Sequence, residues 1–575
     1  MSRLACMSHL ANNPRLISRR QAVAGTSAAI LLSITALTGP ALAQGSGDPV
    51  RKIVLITDTQ GAVPQAYQAG QLIAQAWRPL GLDVEARPMA RQAQTDLVWF
   101  NRDKWDTTMW RMVGRPERSD PDEMTYNLFH SSTAPRGFNF VGYNNPEYDK
   151  IAEQQRQTLD PAARQKLVRQ AQEIVSRDAP YAFLVHPNTL QAFNQTVFDP
   201  ASIVVQKGVG IRNFWTFIGA TPKGAQKGMI INSGTALQAI HPLYIAGAPD
   251  SWMNELIWDR LVRIGPDGLP RPWAAESFKF TDEKTVDIVI RGDMKFHDGK
   301  PVTIDDVIFS YEAPLTTDKS PMFKPFVTDI DRIEKTDERS MRIHLKRANA
   351  AFATTALGRV FIVPKHVWEP HLKSVEGKPD TLETIRDPVN VGSGPFKQVR
   401  ARLNEEVVLE RHGEHWAAPK VDRVVLRVIP NAEAVVGMVR SGEINLLSEY
   451  GGDPDVLEKL AKDNPAVKLT QVTDVGIEFM AFNNRRAPFD DPVFRNALSA
   501  AIDRNVIIQA AWNGYAVPSV SHVSPAIDFW HSPEVKAPAT GIAVAKAMLE
   551  KAGYKVEGGR LRYPAGKKET LQPPG

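Results

Sequence analysis

Few side chains in this sequence are spaced for covalent, metal or phosphate chemistry. The sole cysteine is Cys6, so almost the whole chain lacks a thiol for disulfides, iron–sulfur ligation or nucleophilic attack. His412 and His415, beside Glu410 and Glu414, could grip a metal from one side. No third ligand follows at the spacing zinc sites use, and the segment reads as a strand end and loop where polar residues are ordinarily solvated, so no metal is expected. A phosphate loop needs a four-residue gap between Gly and Gly-Lys, then Ser or Thr. Gly292 and Gly299-Lys300 are separated by six residues and followed by Pro301. Gly392-Ser393-Gly394 lacks the third glycine of a dinucleotide fingerprint and the spacing of a serine nucleophile elbow, and Pro395 removes a backbone donor. Asp490-Asp491 is explained by capping of a helix over residues 493–502. The chemistry left open is recognition rather than catalysis, with no cofactor.

The elements that must position any such site belong to a large globular chain. Of 575 residues, 43% are hydrophobic and 23% charged, which excludes disordered, collagenous and coiled-coil classes and suggests three or four compact units. Lys and Arg exceed Asp and Glu by 69 to 64, but Arg3, Arg15, Arg19 and Arg20 lie in an amino-terminal stretch without an acid. The remainder, 65 against 64, argues against nucleic acid or an anionic membrane surface as the main partner. Ser18-Arg19-Arg20 precede an apolar run over residues 22–37, and Ala41-Leu42-Ala43 follows. That pattern reads as a secretory leader of twin-arginine type over residues 1–43, cleaved after about Ala43. The run is diluted by Gly, Ser and Thr and falls short of the roughly 20 apolar residues a span needs, so an uncleaved anchor is the weaker alternative. Gln44 stands where a lipoprotein has cysteine. The expected product is a free, soluble, periplasmic protein.

From Arg51 onward strand and helix patterns alternate, the mark of mixed α/β layers. Asp160-Pro161 opens a helix that presents Leu167, Ala171, Ile174 and Val175 on one face and stops at Pro180. Thr303 and Asp306 make a capping pair before Val307, Ile308 and Phe309. Val286, Ile288 and Ile290, and likewise Met341, Ile343 and Leu345, follow a two-residue period and predict an antiparallel sheet with one solvated side. Residues 220–228 (ATPKGAQKG) read as a surface linker, and residues 567–575 as an end that frays.

Residues 272–312, PWAAESFKFTDEKTVDIVIRGDMKFHDGKPVTIDDVIFSYE, resemble the signature of family 5 extracellular solute-binding proteins, the group that includes dipeptide- and oligopeptide-binding proteins of ABC importers. Residues 391–397 (VGSGPFK), 482–503 (FNNRRAPFDDPVFRNALSAAID) and 545–554 (AKAMLEKAGY) match it further, in family order from about Met229 to Tyr563. Segments that should follow Tyr563 stand instead at the front: residues 55–84, then Asp120-Pro121-Asp122, residues 143–149 (YNNPEYD) and Asp178-Ala179-Pro180. The sequence therefore resembles a circular permutation, with the usual ends joined through residues 220–228 and new ends opened near Arg51 and Lys567. An assembly or gene-fusion artefact is the competing explanation.

The resemblance implies an α/β, two-lobed periplasmic-binding-protein fold (type II, cluster C-like) with an extra subdomain, circularly permuted. Lobe one would comprise residues 191–265 and 386–478, with 266–385 as the attached subdomain, and lobe two residues 51–190 and 479–570. It further implies a monomeric receptor, not an enzyme, that closes on a small peptide-like ligand and presents it to the ABC transporter permease in the inner membrane. Peptide-binding members hold extended ligands through backbone hydrogen bonds and pair the ligand's amino terminus with an acid shortly before Asp-Pro-Asp, in a loop entered from a Trp. Here that loop runs from Trp110 and Arg111 through Arg115, Glu117 and Arg118 to Asp120, and Glu117 is the nearest placement. It is longer and richer in arginine, so Arg115 or Arg118 could equally bind a ligand carboxylate. That leaves open a non-peptide solute such as an opine, an amino-acid conjugate or a metal chelate; internal Arg/Glu pairs in a solvated loop are the plain alternative. By position in the family order, Thr235, Gln238 and Asn484 would face the cleft, with Trp252 and Trp512 as stacking walls. An exported α/β hydrolase is the rival from another class.

Overall fold

The longest strand, Tyr181–Asn194, organises the largest sheet in the computed structural model. The structure describes residues 46–574 apart from 246, 318, 319, 321 and 377–389; the expected leader lies outside the described residues. The first half of the long strand pairs antiparallel with Ile477–Phe482 and Ala516–Pro518, and the second half with Val467–Thr473 and Leu446–Leu447. Ile477–Phe482 continues antiparallel onto Thr107–Met112, which lies parallel to Ile53–Asp58, itself parallel to Val84–Met89. Segments within residues 53–112, 181–194 and 446–518 thus build one eight-stranded sheet.

Strand period decides how that sheet is covered. Ile53 and Leu55 turn to one face with Trp77, Met480 and Phe482, while Val54 and Ile56 turn to the other with Trp105, Tyr181 and Phe479. A sheet apolar on both faces must be packed on both. Helices Pro64–Trp77, Pro492–Ala500, Arg504–Trp512 and Ile542–Lys551 supply the first cover, and Pro146–Gln157 and Pro161–Asp178 the second. Their starts follow the local chemistry: Asp160, Thr303 and Asp491 each accept a first-turn N–H, as their spacing predicts.

Two four-stranded sheets share a separate apolar core. One joins Phe396–Arg402, Glu406–Arg411, Arg423–Val428 and Gly228–Ser233. The other, antiparallel throughout, joins Ile330–Lys335, Ser340–Leu345, Thr285–Ile290 and Ala275–Asp282. In it Val286, Ile288, Ile290, Met341, Ile343 and Leu345 are buried, while Arg342 meets Asp287 on the wet face at 2.6 Å. Residues 223–227 are exposed between helix Phe214–Gly219 and strand Gly228–Ser233, as a surface linker should be. Among the described residues no helix is long and apolar enough to cross a membrane.

The two extremities pair with each other. Gly47 N–H donates to Tyr563 O at 2.9 Å, Val50 N–H to Leu561 O at 2.8 Å, and Tyr563 N–H to Asp48 O at 3.0 Å. Val50, Leu561 and Tyr563 enter the core on the first face of the large sheet. Residues 567–574 are tethered rather than frayed, because Glu569 finds donors from both termini. Its N–H donates to Asp48 Oδ2 at 3.0 Å, and its carboxylate accepts from Tyr563 Oη at 2.8 Å and Arg51 N–H at 3.3 Å. Deleting residues 560–575 strips Leu561 and Tyr563 from the core. The expected cost is at least about 3 kcal/mol, read as a fall in the urea midpoint; an unchanged midpoint would refute the docking.

Candidate functional site

One cleft gathers side chains from stretches far apart in sequence. Helix Ala248–Ile257 starts where Gly247 N–H donates to Asp250 Oδ2 at 3.0 Å, and its period sets Ala248, Ser251, Trp252 and Glu255 along the stripe that lines the cleft. Arg115 and Glu117 face it from the loop that leaves strand Thr107–Met112, and Arg212 closes a third side. The space they leave for a water-sized sphere is narrow, about 20 Å³, and partly open to solvent.

Both loops that bring arginines to the cleft are seated on residues 474–476, the link between strands Val467–Thr473 and Ile477–Phe482. A Cβ at Gly114 would overlap the Asp474 carboxylate, so only glycine lets the Arg115 loop approach. Gly208, at φ 70°, holds a left-handed turn in which a Cβ would overlap the Val475 side chain. Val475 N–H donates to Gly208 O at 3.0 Å, and Ile211 N–H donates to Gln191 Oε1 on the long strand at 2.6 Å. Arg115 and Arg212 therefore project from loops fixed at the place where the long strand and residues 467–482 run side by side.

Most charges around the cleft are already matched. Glu117 pairs with Arg260 in a buried contact, and Arg260 also donates to Gly358 O at 3.0 Å. Burial raises the pKa of Glu117, but Arg260 and Arg359 outweigh it and hold the carboxyl below its usual range. Glu123 is gripped by Arg118 at 2.8 Å and Arg359 at 2.5 Å; these charges overcome burial and bring its pKa to about 2. Arg115 and Arg212 differ. Among the described residues neither guanidinium has an ion-pair partner, and the Nε of each is buried without a hydrogen bond. The Arg212 guanidinium lies 3.8 Å from the Trp252 ring centroid. Burial, helped by Arg118 and Arg359, lowers Arg115 to about 10, which leaves it cationic at neutral pH, and burial lowers Arg212 as well.

Of the residues expected from sequence, Arg115, Glu117 and Trp252 meet in this cleft. Arg118 is taken by Glu123 and the Val113 carbonyl, and Asp120 by Arg164 through two contacts of 2.7 Å. Trp110 is buried among Trp99 and Phe140, with the Arg91 guanidinium 5.0 Å from its ring. Arg111 is exposed on the same strand opposite Glu478. Thr235 and Gln238 are exposed, the Gln238 N–H donating to Asp250 Oδ1 at 2.8 Å. Asn484 folds onto its own turn, its amide donating to Phe482 O at 2.7 Å, and Trp512 packs against the core of the large sheet. Arg212, Glu255 and Arg260 carry no local sequence signal; only the paired glycines before Arg212 mark its loop as constrained. His412 and His415 are buried rather than solvated: His412 Nδ1 lies 3.2 Å from Gly394 O and His415 Nε2 3.3 Å from Asp259 Oδ2. Among the described residues no cluster of three or more His, Cys, Asp or Glu could hold a metal.

The model of the bacterial extracellular solute-binding proteins, family 5 (Middle), matches residues 270–574, more than half of the sequence. The chain belongs to that family. It is 28% identical over 336 residues to heme-binding protein A of Haemophilus influenzae, an alignment covering 54% of this chain and 59% of that protein. It is 29% identical over 288 residues to the oligopeptide-binding protein AppA of Bacillus subtilis, covering 49% and 51%. The chain thus spans between half and three-fifths of the length of these relatives. The structure of AppA from Bacillus subtilis in complex with a nonapeptide superposes with a TM-score of 0.47 at 24% identity, over 60% of this chain and 68% of that one.

Two predictions follow from the charges. Glu117→Ala leaves Arg260 buried without its carboxylate; the expected loss is about 3–5 kcal/mol in urea unfolding, and a loss under about 1 kcal/mol would show the pair to be solvated. On the interior strand Ile477–Phe482, opposite Arg111, burial pushes Glu478 up to about 7 against the pull of Arg111 and Arg91. Its raised pKa means the folded state keeps a proton that the unfolded state releases near the usual carboxylate value. That contribution is complete at low pH and is lost as pH climbs towards 7. Glu478→Gln should therefore be neutral at pH 4 and more stable than the parent at pH 8, by on the order of 1–3 kcal/mol.

Proposed function

We propose that this protein is an exported, periplasmic receptor of an ABC-type importer, which takes a peptide-like solute between two lobes and hands it to the membrane permease. The observation that carries this reading is the cleft itself, set between bodies that share strand Tyr181–Asn194 and lined by Arg115, Arg212 and Trp252. Relatives named for oligopeptide and heme binding support the solute-binding role without fixing the solute.

The sheets support the lobe assignment drawn from sequence as a reading. Lobe two, residues 51–190 and 479–570, would hold four strands of the eight-stranded sheet whole, with Tyr181–Asn194 and Ile477–Phe482 crossing between lobes; lobe one, 191–265 and 386–478, would hold one four-stranded sheet, and the subdomain 266–385 the other. The hinge would be the two crossings, near His186 and Gly476, where His186 Nδ1 meets Gly476 O at 2.7 Å. Bending there moves the Arg115 loop against helix Ala248–Ile257, and the Glu117–Arg260 pair favours the closed arrangement. A circular permutation is supported by the paired extremities and by the exposed join at 223–227. The leader over residues 1–43, cleavage near Ala43 and a monomeric state complete the proposal. The ligand residues are proposed to be Arg115, Arg212 and Trp252, with Thr235, Gln238 and Asn484 reached only on closure.

Purified exported protein should show a ligand-dependent melting shift in a panel of peptides, opines, amino-acid conjugates and metal chelates. Ligand at 100 times its Kd is expected to add about 2.7 kcal/mol. Silence across all classes, together with turnover of an ester or amide substrate, would move the assignment to an exported hydrolase. Joining residue 574 to residue 46 and opening the chain at 224 restores the family order. That variant should fold and bind as the parent does, and failure to fold would count against a permutation.

A further inference from the structure

We infer that the subdomain over residues 266–385 is a built-in latch, docked on lobe two through a buried, charge-balanced ion network that keeps the lobes together when no solute is bound. This rests on the two-lobe receptor reading and adds to it the state that the free receptor occupies.

On the lobe-two side the network is the segment over residues 117–126 with Arg156; facing it are Asp329, Arg347, Ala350 and Arg359 of the subdomain, with Arg260 beside them. Glu117 meets Arg260, and Glu123 meets Arg359 at 2.5 Å. Arg156 Nη1 lies 3.9 Å from Asp329 Oδ2, Arg347 Nη1 donates to the Tyr126 hydroxyl at 3.2 Å, and Ala350 N–H donates to Arg156 O at 2.6 Å. Each side also braces its own members: Arg118 holds Glu123 at 2.8 Å, Arg156 holds Asp122 at 2.6 Å, and Arg347 holds Asp329 at 2.8 Å. The carboxylates of Glu117, Asp122, Glu123 and Asp329 thus face the guanidinium groups of Arg118, Arg156, Arg260 and Arg359, and all of these residues are buried. Arg115 lies beside this set and faces the cleft. The negative and positive members are equal in number, so the interface is complete without a charge from a solute.

Burial raises the pKa of Glu117, Asp122 and Glu123, but the facing arginines outweigh it and hold all three carboxyls below their usual range, so the pairs stay ionised at neutral pH. Parting the two sides strips Arg359 of Glu123, its one ion-pair partner among the described residues, and its Nε is already buried without a hydrogen bond. The cations are also set in place beforehand: the Arg359 guanidinium lies 3.9 Å from the Phe326 ring centroid, and that of Arg156 3.5 Å from the Tyr126 centroid. A second set of polar contacts between the lobes is exposed. Lys207 Nζ lies 3.3 Å from Asp528 Oδ1, Asn513 Nδ2 donates to Asp453 Oδ1 at 3.3 Å, and Tyr515 Oη donates to Asp455 Oδ1 at 3.2 Å. Exposed pairs contribute at most about 1 kcal/mol each, so the subdomain side decides whether the lobes part. A solute that needs the open form then binds with an affinity scaled by the fraction open.

The test measures the distance between lobe two and the subdomain in solute-free protein. Cys6 lies within the expected leader, so spin labels on the exported chain sit only where cysteines are introduced. Lys150→Cys in lobe two and Lys284→Cys in the subdomain, both at exposed positions, take the labels. The labelled chain is unfolded in urea, dialysed and refolded to strip any solute, its solute-free mass is verified by native mass spectrometry, and pulsed electron paramagnetic resonance reads the distance. One narrow distribution is expected, with the open form below about 1 molecule in 100. Arg359→Gln should add a longer distance in at least about 1 molecule in 10. Asp329→Asn, which weakens the same interface more mildly, should shift the distribution in the same direction, and Lys207→Ala on the exposed set should leave it unchanged. If the solute-free parent already populates mainly the longer distance, the latch falls while the receptor reading stands. If Arg359→Gln and Asp329→Asn both fold and neither lengthens the distance, the network only braces the structure and the latch falls as well. Failure of the receptor reading would show instead as silence in the melting panel, which these distances do not measure.

Discussion

Residues 474–476 have to serve two sheets and two loops at once. They link strand Val467–Thr473 to strand Ile477–Phe482, and both pair with the same long strand. Asp474 and Val475 are also the surfaces on which the loops of Arg115 and Arg212 rest, with no room for a side chain at Gly114 or Gly208. A shift of the link therefore moves both arginines together. This is a physical coupling between strand pairing and cleft geometry: the element that would bend in a hinge is the element that places the cations. Packed interiors have two arrangements more readily than a continuum of them, so a small change at such a junction is transmitted rather than absorbed.

The charges around that junction divide by solvation. Glu117 with Arg260, and Glu123 with Arg118 and Arg359, are buried pairs whose attraction offsets the cost of leaving water and whose main effect is to fix one docking geometry. Arg115 and Arg212 stand at the edge of this network with donors to spare. A binding site needs such a residue of unmet bonding, since a fully satisfied cleft gains little when a ligand enters. The pairs behind the cleft hold the walls, and the free cations face the space.

Much of the fold was legible locally. Asp160, Thr303 and Asp491 announce helix starts because a cap is a contact within four residues, and the alternation of Val286, Ile288 and Ile290 announces a half-buried strand because pleating has a fixed period. The Arg115 loop was legible through its position after a strand and its departure in length and charge. What escaped were properties of pairs remote in sequence. Whether Glu117 meets a ligand or Arg260 depends on a residue 143 positions away, and no spacing rule reaches that far. Glu569 escaped for the same reason: a polar, proline-bearing end looks free until Asp48 and Arg51 are brought beside it.

The pairing of residues 47–50 with residues 561–563 lies apart from the segments that line the cleft. Leu561 and Tyr563 make backbone hydrogen bonds with residues 47–50, so these two segments lie together beside the helical layer that covers one face of the large sheet. The cleft draws on residues 114–117, 209–212 and 248–260, none of which lies near those ends in sequence or at the exposed join over residues 223–227. Opening the chain at one surface and joining it at another changes loop-closure entropy by only about 0.6 kcal/mol for each doubling of loop length. The strand register at residues 474–476, on which Arg115 and Arg212 depend, is set by side-chain alternation and is indifferent to where the chain begins. The cleft is thus shaped by contacts between segments remote in sequence, Gly114 with Asp474 and Gly208 with Val475 among them.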